Sequence, residues 1–552
     1  VSVRQLFTLP FRGRVGSRSD PGWGEIPLTR GRTPSRAPAA LDLAPRGGGG
    51  GASSFTCAGE EPDRLEQALS SPWLCAALVL IAVAQQLLGH IDCDVSWFLT
   101  FAEKVLDGRV AYVEVSDPNP PAAFLSLMPA VWLARALALA PEAVVAALVF
   151  AFAAGSLGFS YYLLRSGAAR SRRDWMLLLE AAIFLLLVAP EIVFAEREHI
   201  ALLALLPLLA TLAAGEGRRP PPRWARIIAG LGGGAAVALK PHFALAIALP
   251  ALAIAWRERS MRILWRDELV AAALAAVGVT GATLLAFPAY VTQALPLALE
   301  VYGAARDDLA HFLGHSLALA YVALFFGFLL AARGVVLGRS SLVALLSSLG
   351  FFAAFLIQGK GWMNHAYPAV VLLLLAWTFL ALNDRARPTG AKHALIKFLF
   401  LPALLAAPAY FGVVEQLSDR EEHEGLLDAV ARVAPPHPRV ATIASQLDFG
   451  HPLVRRLGGD WVGRQNALWT TAAVGKLLDS AAPQQRARLE ARRSADLAAL
   501  AEDIRTGRPD IIVAEDRATR KWVLKRPEMA GALDSYRLAK HVGDIEIWRR
   551  AE

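Results

Sequence analysis

Cysteine is almost missing from this chain. Three stand in 552 residues, Cys57, Cys75 and Cys93, without a CxxC pair or a Cys/His metal spacing. That excludes a disulfide framework and a structural zinc. Several enzyme signatures are missing as well: no GxSxG, no HExxH and no P-loop Lys-Ser/Thr. Nucleophile-elbow hydrolases, zincins and P-loop nucleotide hydrolases are set aside on that ground. Charge is scarce too, at 19% of residues against 55% hydrophobic.

What is present is apolar sequence. Runs long enough to cross a bilayer recur over the first three quarters of the chain, so it reads as a mainly α, polytopic helical membrane protein. The net charge of +8 comes from short basic clusters between those runs. That is the placement of cytoplasmic loops, and no nucleic-acid partner is expected. Residues 1–60 differ, being rich in Pro, Gly and Arg (RGRTPSRAP; Gly47 to Gly51) and free of apolar periodicity. They are expected to be a disordered extension, with no secretory h-region and at most an electrostatic touch on anionic membrane lipid.

Lys and Arg set the topology. A first span at about 73–89 leaves the basic N-terminus inside and delivers Asp92 outside. If Ala122 to Ala140 crossed next, RSGAARSRRD (165–174) and GEGRRPPPRWAR (215–226) would both fall outside. An external helix on the membrane surface repairs both. Spans then follow at about 143–164, 175–192, 199–214, 225–239, 242–256, 268–288, 315–332, 341–357, 366–382 and 396–414, about 11 in all. RERSMRILWRDE, ARGVVLGRSS and NDRARPTGAKHALIK then also land inside. The membrane domain is placed at 70–414 and a soluble domain at 415–552. In the latter, 439–443, 510–514 and 544–548 read as strands and 485–506 as an amphipathic helix, giving a small extracytoplasmic α/β domain.

This topology gathers the unusual residues on one face. They are Asp92, Asp94, Asp117 and Asn119 near the first span; Arg197, Glu198 and His199 at the head of another; Lys240 and His242 at one outer turn; Lys360 and His365 at a second. Singly, each has a plain explanation as a solvated helix cap or a snorkelling cation. Together they fit one outward polar site, in which carboxylates accept a proton or hold a metal and Lys and Arg grip a phosphate. The run Gly230 to Gly234 falls within a span and reads as a close helix contact.

A resemblance follows from these residues. A first span, an Asp-rich outer loop, a helix ending in Asp107-Gly108, an aromatic and then Pro120-Pro121 opening an outer helix resemble the GT-C membrane glycosyltransferases. The similarity is to the branch of protein O-mannosyltransferases and the aminoarabinose transferase ArnT. Asp94 stands fourteen residues before Gly108, Asn119-Pro120-Pro121-Ala122 occupies the place of a Lys-Pro-Pro-Leu element, Glu198 matches a later acid, and Ala238-Leu239-Lys240 a Leu-Thr-Lys ending. Asn119 departs from the family's lysine, which shifts phosphate contact to Arg197, Lys240 or Lys360. The resemblance implies inverting transfer of a sugar from a polyprenyl-phosphate donor to an envelope glycan, lipid or protein in a bacterial inner membrane. Asp94 would be the base, with Asp92 beside it. No cofactor is required by it, although Asp92-Cys93-Asp94 has the DxD form that could bind Mg or Mn. The rival readings are a transporter or flippase of lipid-linked saccharides and a non-catalytic assembly scaffold.

The topology is directly testable. Reporter fusions after Arg173, Arg219, Arg257, Arg333 and Arg385 are expected to read cytoplasmic, and fusions after Ser116 and Arg439 extracytoplasmic. A cytoplasmic signal at Arg439 would dismantle the single polar face.

Overall fold

A computed structural model describes residues 71–551 apart from 168–169, 216–219, 307–313, 315 and 383–424. The expected disordered extension 1–60 and the span expected at 396–414 lie outside the described residues. Helices occupy the other ten expected span positions: α1 (Pro72–Leu88), and, after the outer segment, α5 (Pro141–Leu164), α6 (Arg172–Ile183), α7 (Arg197–Ala214), α8 (Arg223–Leu239), α9 (Ala244–Arg257), α10 (Asp267–Ala286), α12 (Ser316–Ala331), α13 (Arg339–Gln358) and α14 (Met363–Ala381). Among the described residues, α5, α7, α10, α13 and α14 are each long and apolar enough to cross a bilayer unaided. The others are shorter, and α1 is followed after a 66° bend by α2 (Cys93–Leu106).

The segment 122–140 does not form one continuous helix. It forms two pieces, α3 (Ala122–Leu125) and α4 (Met128–Leu137), the second stopped by Ala138 in the left-handed region. α6 continues as a π-turn over Phe184–Val188 and a 3-10 turn over Glu191–Val193, so that span ends in irregular backbone. α11 (Leu295–Val301) lies between α10 and α12.

Polar contacts sort the helix ends into two sets. At one, Arg339 pairs with Glu258 (2.5 Å) and donates to the Leu212 carbonyl (2.7 Å), while Arg226 pairs with Asp267 (2.8 Å). These are the ends of the basic loops assigned inside. At the other, α2 and the loop after it meet the C-terminal domain through Ser96, Lys104, Ser116 and Asp117.

That domain is a five-stranded sheet of order β2-β1-β3-β5-β4, with β1 Arg439–Ile443, β2 Asp460–Trp461, β3 Ile511–Ala514, β4 Tyr536–Val542 and β5 Ile545–Arg550. β2, β1 and β3 run parallel; β5 is antiparallel to β3 and β4 to β5. The three expected strands and the long helix (Pro483–Gly507) are present. β2 and β4 are additions. The sheet domain is bolted to the helices by Arg455, which reaches Glu103 (2.6 Å) and Glu142 (2.5 Å).

The glycine run explains how the bundle closes. An added Cβ at Gly230 would lie 2.2 Å from the Glu268 carbonyl oxygen, and at Gly234 2.3 Å from that of Ala272, both on α10. At Gly233 it would meet the Leu208 side chain of α7 at 2.4 Å. α8 is therefore pressed between α7 and α10, and only glycine lets the backbones come this near. Gly234→Leu is expected to cost about 3 kcal/mol or more by overpacking, while Gly278→Ala, where nothing lies within 4 Å, leaves stability unchanged. Thermal unfolding of both purified variants in detergent checks this.

Candidate active site at the outer helix mouths

Four consecutive residues at the head of α7 organise the site. Glu196 is the extended N-cap residue, and Arg197, Glu198 and His199 form the first turn. Acids there are favoured by the helix dipole, and the turn sends successive side chains in different directions. All four are buried, so each must find a partner.

Arg197 reaches the segment that follows α1. Its Nη2 donates to Asp94 Oδ2 at 2.6 Å, its Nη1 to Asn119 Oδ1, and its guanidinium lies 4.9 Å from the Phe98 ring centre. Asn119 is fixed in turn by Asp117, whose Oδ1 accepts from the Asn119 backbone (2.8 Å) and side-chain amide (2.7 Å). Asp117 Oδ2 accepts from Trp97 Nε1 (2.8 Å) and Asn466 Nδ2 (3.4 Å). Burial pushes the Asp117 carboxyl up, against the pull of the Asn119 hydrogen bonds. The Asn119 carbonyl accepts from the Tyr112 hydroxyl at 2.8 Å.

The two acids of the DxD-like pair have separate employment. Asp92 Oδ1 caps α2, accepting from the backbone of Asp94 (2.7 Å) and Val95 (3.4 Å). Burial and then the charge of Asp94 push its carboxyl up to about 7. The capping explanation thus fits Asp92 and does not fit Asp94, whose side chain turns to Arg197 and keeps a quarter of its surface exposed. Asp94 borders a small cleft lined also by Phe98, Ser126, Leu127, Glu196 and Arg197. Among the described residues, no group of three or more His, Cys, Asp or Glu is arranged to hold a metal ion.

Glu198 turns the other way, to the end of α8. There Pro241 forces Lys240 into extended backbone, and its Nζ donates to Glu198 Oε1 and to Gln358 Oε1 (2.9 Å). Sequence gives Lys240 no acidic neighbour; the fold supplies one from 42 residues away. His365 Nε2 lies 3.6 Å from the same Glu198 oxygen. His242 packs edge-on to Phe243, and burial with the nearby Lys240 charge lowers it to about 4.

His199 is drawn away from the cleft. Its Nε2 bonds the Leu186 carbonyl (2.8 Å) and its Nδ1 accepts from the Ala195 backbone (3.1 Å), so both nitrogens secure the irregular backbone before α7. Lys360 sits between Gly359 and Gly361, both with positive φ, and is buried against Tyr302 and Trp362, its Nζ 3.2 and 4.3 Å from their ring centres. Sequence reading missed Tyr302, Asn364 and Asn466, and had Tyr112 only as the aromatic between Asp107-Gly108 and Pro120-Pro121. Asn364 donates to Glu196 Oε2 at 2.5 Å. No local motif marks Tyr302, Asn364 or Asn466; each is placed by a long-range approach.

A second cleft, of about 360 Å³, lies within the sheet domain between Trp461, Gln465, Asp496 and Asp503. It is separate from the Asp94 cleft.

No protein-family model matches the chain, and no curated protein is similar to it in sequence. Solved structures are similar in fold. ArnT from Cupriavidus metallidurans bound to undecaprenyl phosphate superposes with a TM-score of 0.53 at 12% identity, over 86% of this chain and 97% of that one. The apo state of the same protein gives 0.50 at 14% identity with the same coverage. The chain therefore has the GT-C membrane fold with a small C-terminal sheet domain.

The Lys240–Glu198 pair is buried on both sides. Removing one partner of such a pair typically costs about 3–5 kcal/mol, because the other charge is stranded. Lys240→Met and Glu198→Gln are each expected to destabilise by about that much, and the double variant by clearly less than the sum. A double-mutant cycle by detergent unfolding measures it; strict additivity would dissolve the pair.

Proposed function

We propose that this protein is an inverting glycosyltransferase of the membrane envelope, moving a sugar from a polyprenyl-phosphate donor to an acceptor hydroxyl. The carrying observation is Asp94. It is an acid fixed through Oδ2 by a buried arginine, open to a cleft at the outer mouths of the helices, with Lys240 and Lys360 close enough to share its field. The likeness to a protein solved with undecaprenyl phosphate supports the choice of donor.

Asp94 takes the proton of the acceptor hydroxyl, and the hydroxyl oxygen attacks the anomeric carbon. The bond from that carbon to the phosphate oxygen breaks in the same displacement, inverting the centre. The lipid phosphate leaves with the electron pair, and its growing charge is met by the cations of the mouth. Arg197 holds the base aimed. Asn119 and Asp117 hold Arg197. The acceptor is an envelope glycan, lipid or protein presented outside the bacterial inner membrane. The N-terminus is cytoplasmic and the sheet domain extracytoplasmic.

Loss of a general base typically slows a reaction by about 10²–10⁴, whereas loss of a helix cap costs only about 1 kcal/mol of stability. Asp94→Asn is therefore expected to purify normally and transfer sugar at least about a hundredfold more slowly. Asp92→Asn, which keeps a capping oxygen, is expected to be much less affected. Turnover of both with a lipid-linked donor, with and without chelator, decides. Full activity in Asp94→Asn rejects it as the base; equal collapse of both with chelator sensitivity would indicate a metal-bound pair instead.

A further inference from the structure

The cations at the mouth are not equivalent. Arg197 is matched by Asp94 and Asn119, and Lys240 by Glu198 and Gln358. Lys360 is 4% exposed, yet among the described residues its Nζ has no hydrogen-bond partner. An ammonium has three donors and no acceptor, so burying it without an oxygen partner is costly. The surrounding structure nevertheless fixes it there. Gly359 caps α13 in the left-handed region, Gly361 repeats that turn, and Trp362 opens α14, so the backbone delivers Lys360 inward. The faces of Tyr302 and Trp362 receive its stem and amine.

We propose that Lys360 is the anion receptor of the site, an amine kept in an aromatic box with its hydrogen-bonding capacity unspent until a phosphate arrives. This rests on the lipid-phosphate reading for the identity of the ligand, while the receptor itself rests on the geometry of the box. The charged groups in its field are Lys240 from α8, Arg197 from α7, Asp94 from α2 and Asp117 from the loop that follows. Burial first, then the charge of Lys240, lowers the Lys360 amine to about 6. At neutral pH the resting amine is therefore mostly uncharged, which relieves the burial. An arriving phosphate restores the charged form, and binding carries one proton in with it. The sign is fixed: the protonated, binding-competent form prevails below about pH 6 and is lost above it. Affinity falls by about tenfold per pH unit as that fraction declines.

The test uses the full chain in lipid nanodiscs and an undecaprenyl methyl phosphodiester, which carries the single permanent charge of a sugar donor. Undecaprenol is the uncharged control. Calorimetry in buffers of different ionisation enthalpy is expected to show close to one proton taken up at pH 8 and little at pH 5.5. Affinity is expected to fall roughly tenfold per unit between pH 7 and 8. Lys360→Met is expected to lose at least about tenfold in affinity at pH 6.5 together with the proton uptake. Lys360→Arg, charged throughout, is expected to bind without pH dependence, showing that the fold survives substitution. Wild-type affinity and proton uptake in Lys360→Met would overturn the receptor while leaving the donor reading intact. Equal binding of the phosphodiester and undecaprenol by the wild type would overturn the donor reading. In that event, Lys360-dependent binding of inorganic phosphate would retain the receptor, and its absence would overturn that as well.

Discussion

A charge taken out of water at the edge of a bilayer must be met by another, and the arrangement of this protein follows from how that is done at the head of α7. Glu196 goes to Asn364 on α14, Arg197 to Asp94 and Asn119, Glu198 to Lys240 at the end of α8, and His199 to the backbone at Leu186 and Ala195. Four adjacent residues thus tie together most of the elements around the cleft. Exposed pairs are worth about 0–1 kcal/mol, whereas breaking a buried one costs several times that. The geometry of the mouth is set by those ties together with the close packing of α8 against α7 and α10 below.

The fold was legible in sequence because its causes are local. Apolar runs place the helices, Lys and Arg clusters mark the loops between them, and charge distribution set 122–140 apart from the spans, although its break into two pieces was not foreseen. The strands Arg439–Ile443 and Ile511–Ala514 are short β-branched runs, visible as such. β2, a two-residue strand, and β4, a largely polar edge strand with Lys540 and His541, carry no comparable signal. An edge needs no second apolar face, so alternation is weak there.

The site was legible only as a collection. Sequence could say that Asp94, Arg197, Lys240 and Lys360 share a face. It could not say which meets which, because the decisive pairs are separated by 103 residues (Arg197 with Asp94) and 42 (Lys240 with Glu198). Hence only the resemblance set Asp94 apart from Asp92, whereas the structure separates them by contact, one capping a helix and the other facing a cleft, and Lys240 looked alone although it is paired. His199 looked available for the same reason, although both its nitrogens are taken.

The sheet domain belongs to the same system of constraints. Residues 463–466 run along the site's outer loop: Lys104 Nζ donates to the Gly463 carbonyl (2.8 Å), the Ser116 backbone to that of Arg464 (2.7 Å), and Asn466 to Asp117. His451 adds a bond from its Nδ1 to the Ser96 hydroxyl (3.1 Å) between Trp97 and Trp461. Asp117 fixes Asn119, Asn119 fixes Arg197, and Arg197 fixes Asp94, so the position of the cleft acid depends on a strap from the far end of the chain. Groups whose capacity is spent inside the protein, such as Asp117 and Lys240, define where things stand. Asp94 Oδ1 and Lys360 Nζ form no hydrogen bond among the described residues, and capacity of that kind, held in place by spent neighbours, is what a bound substrate can use.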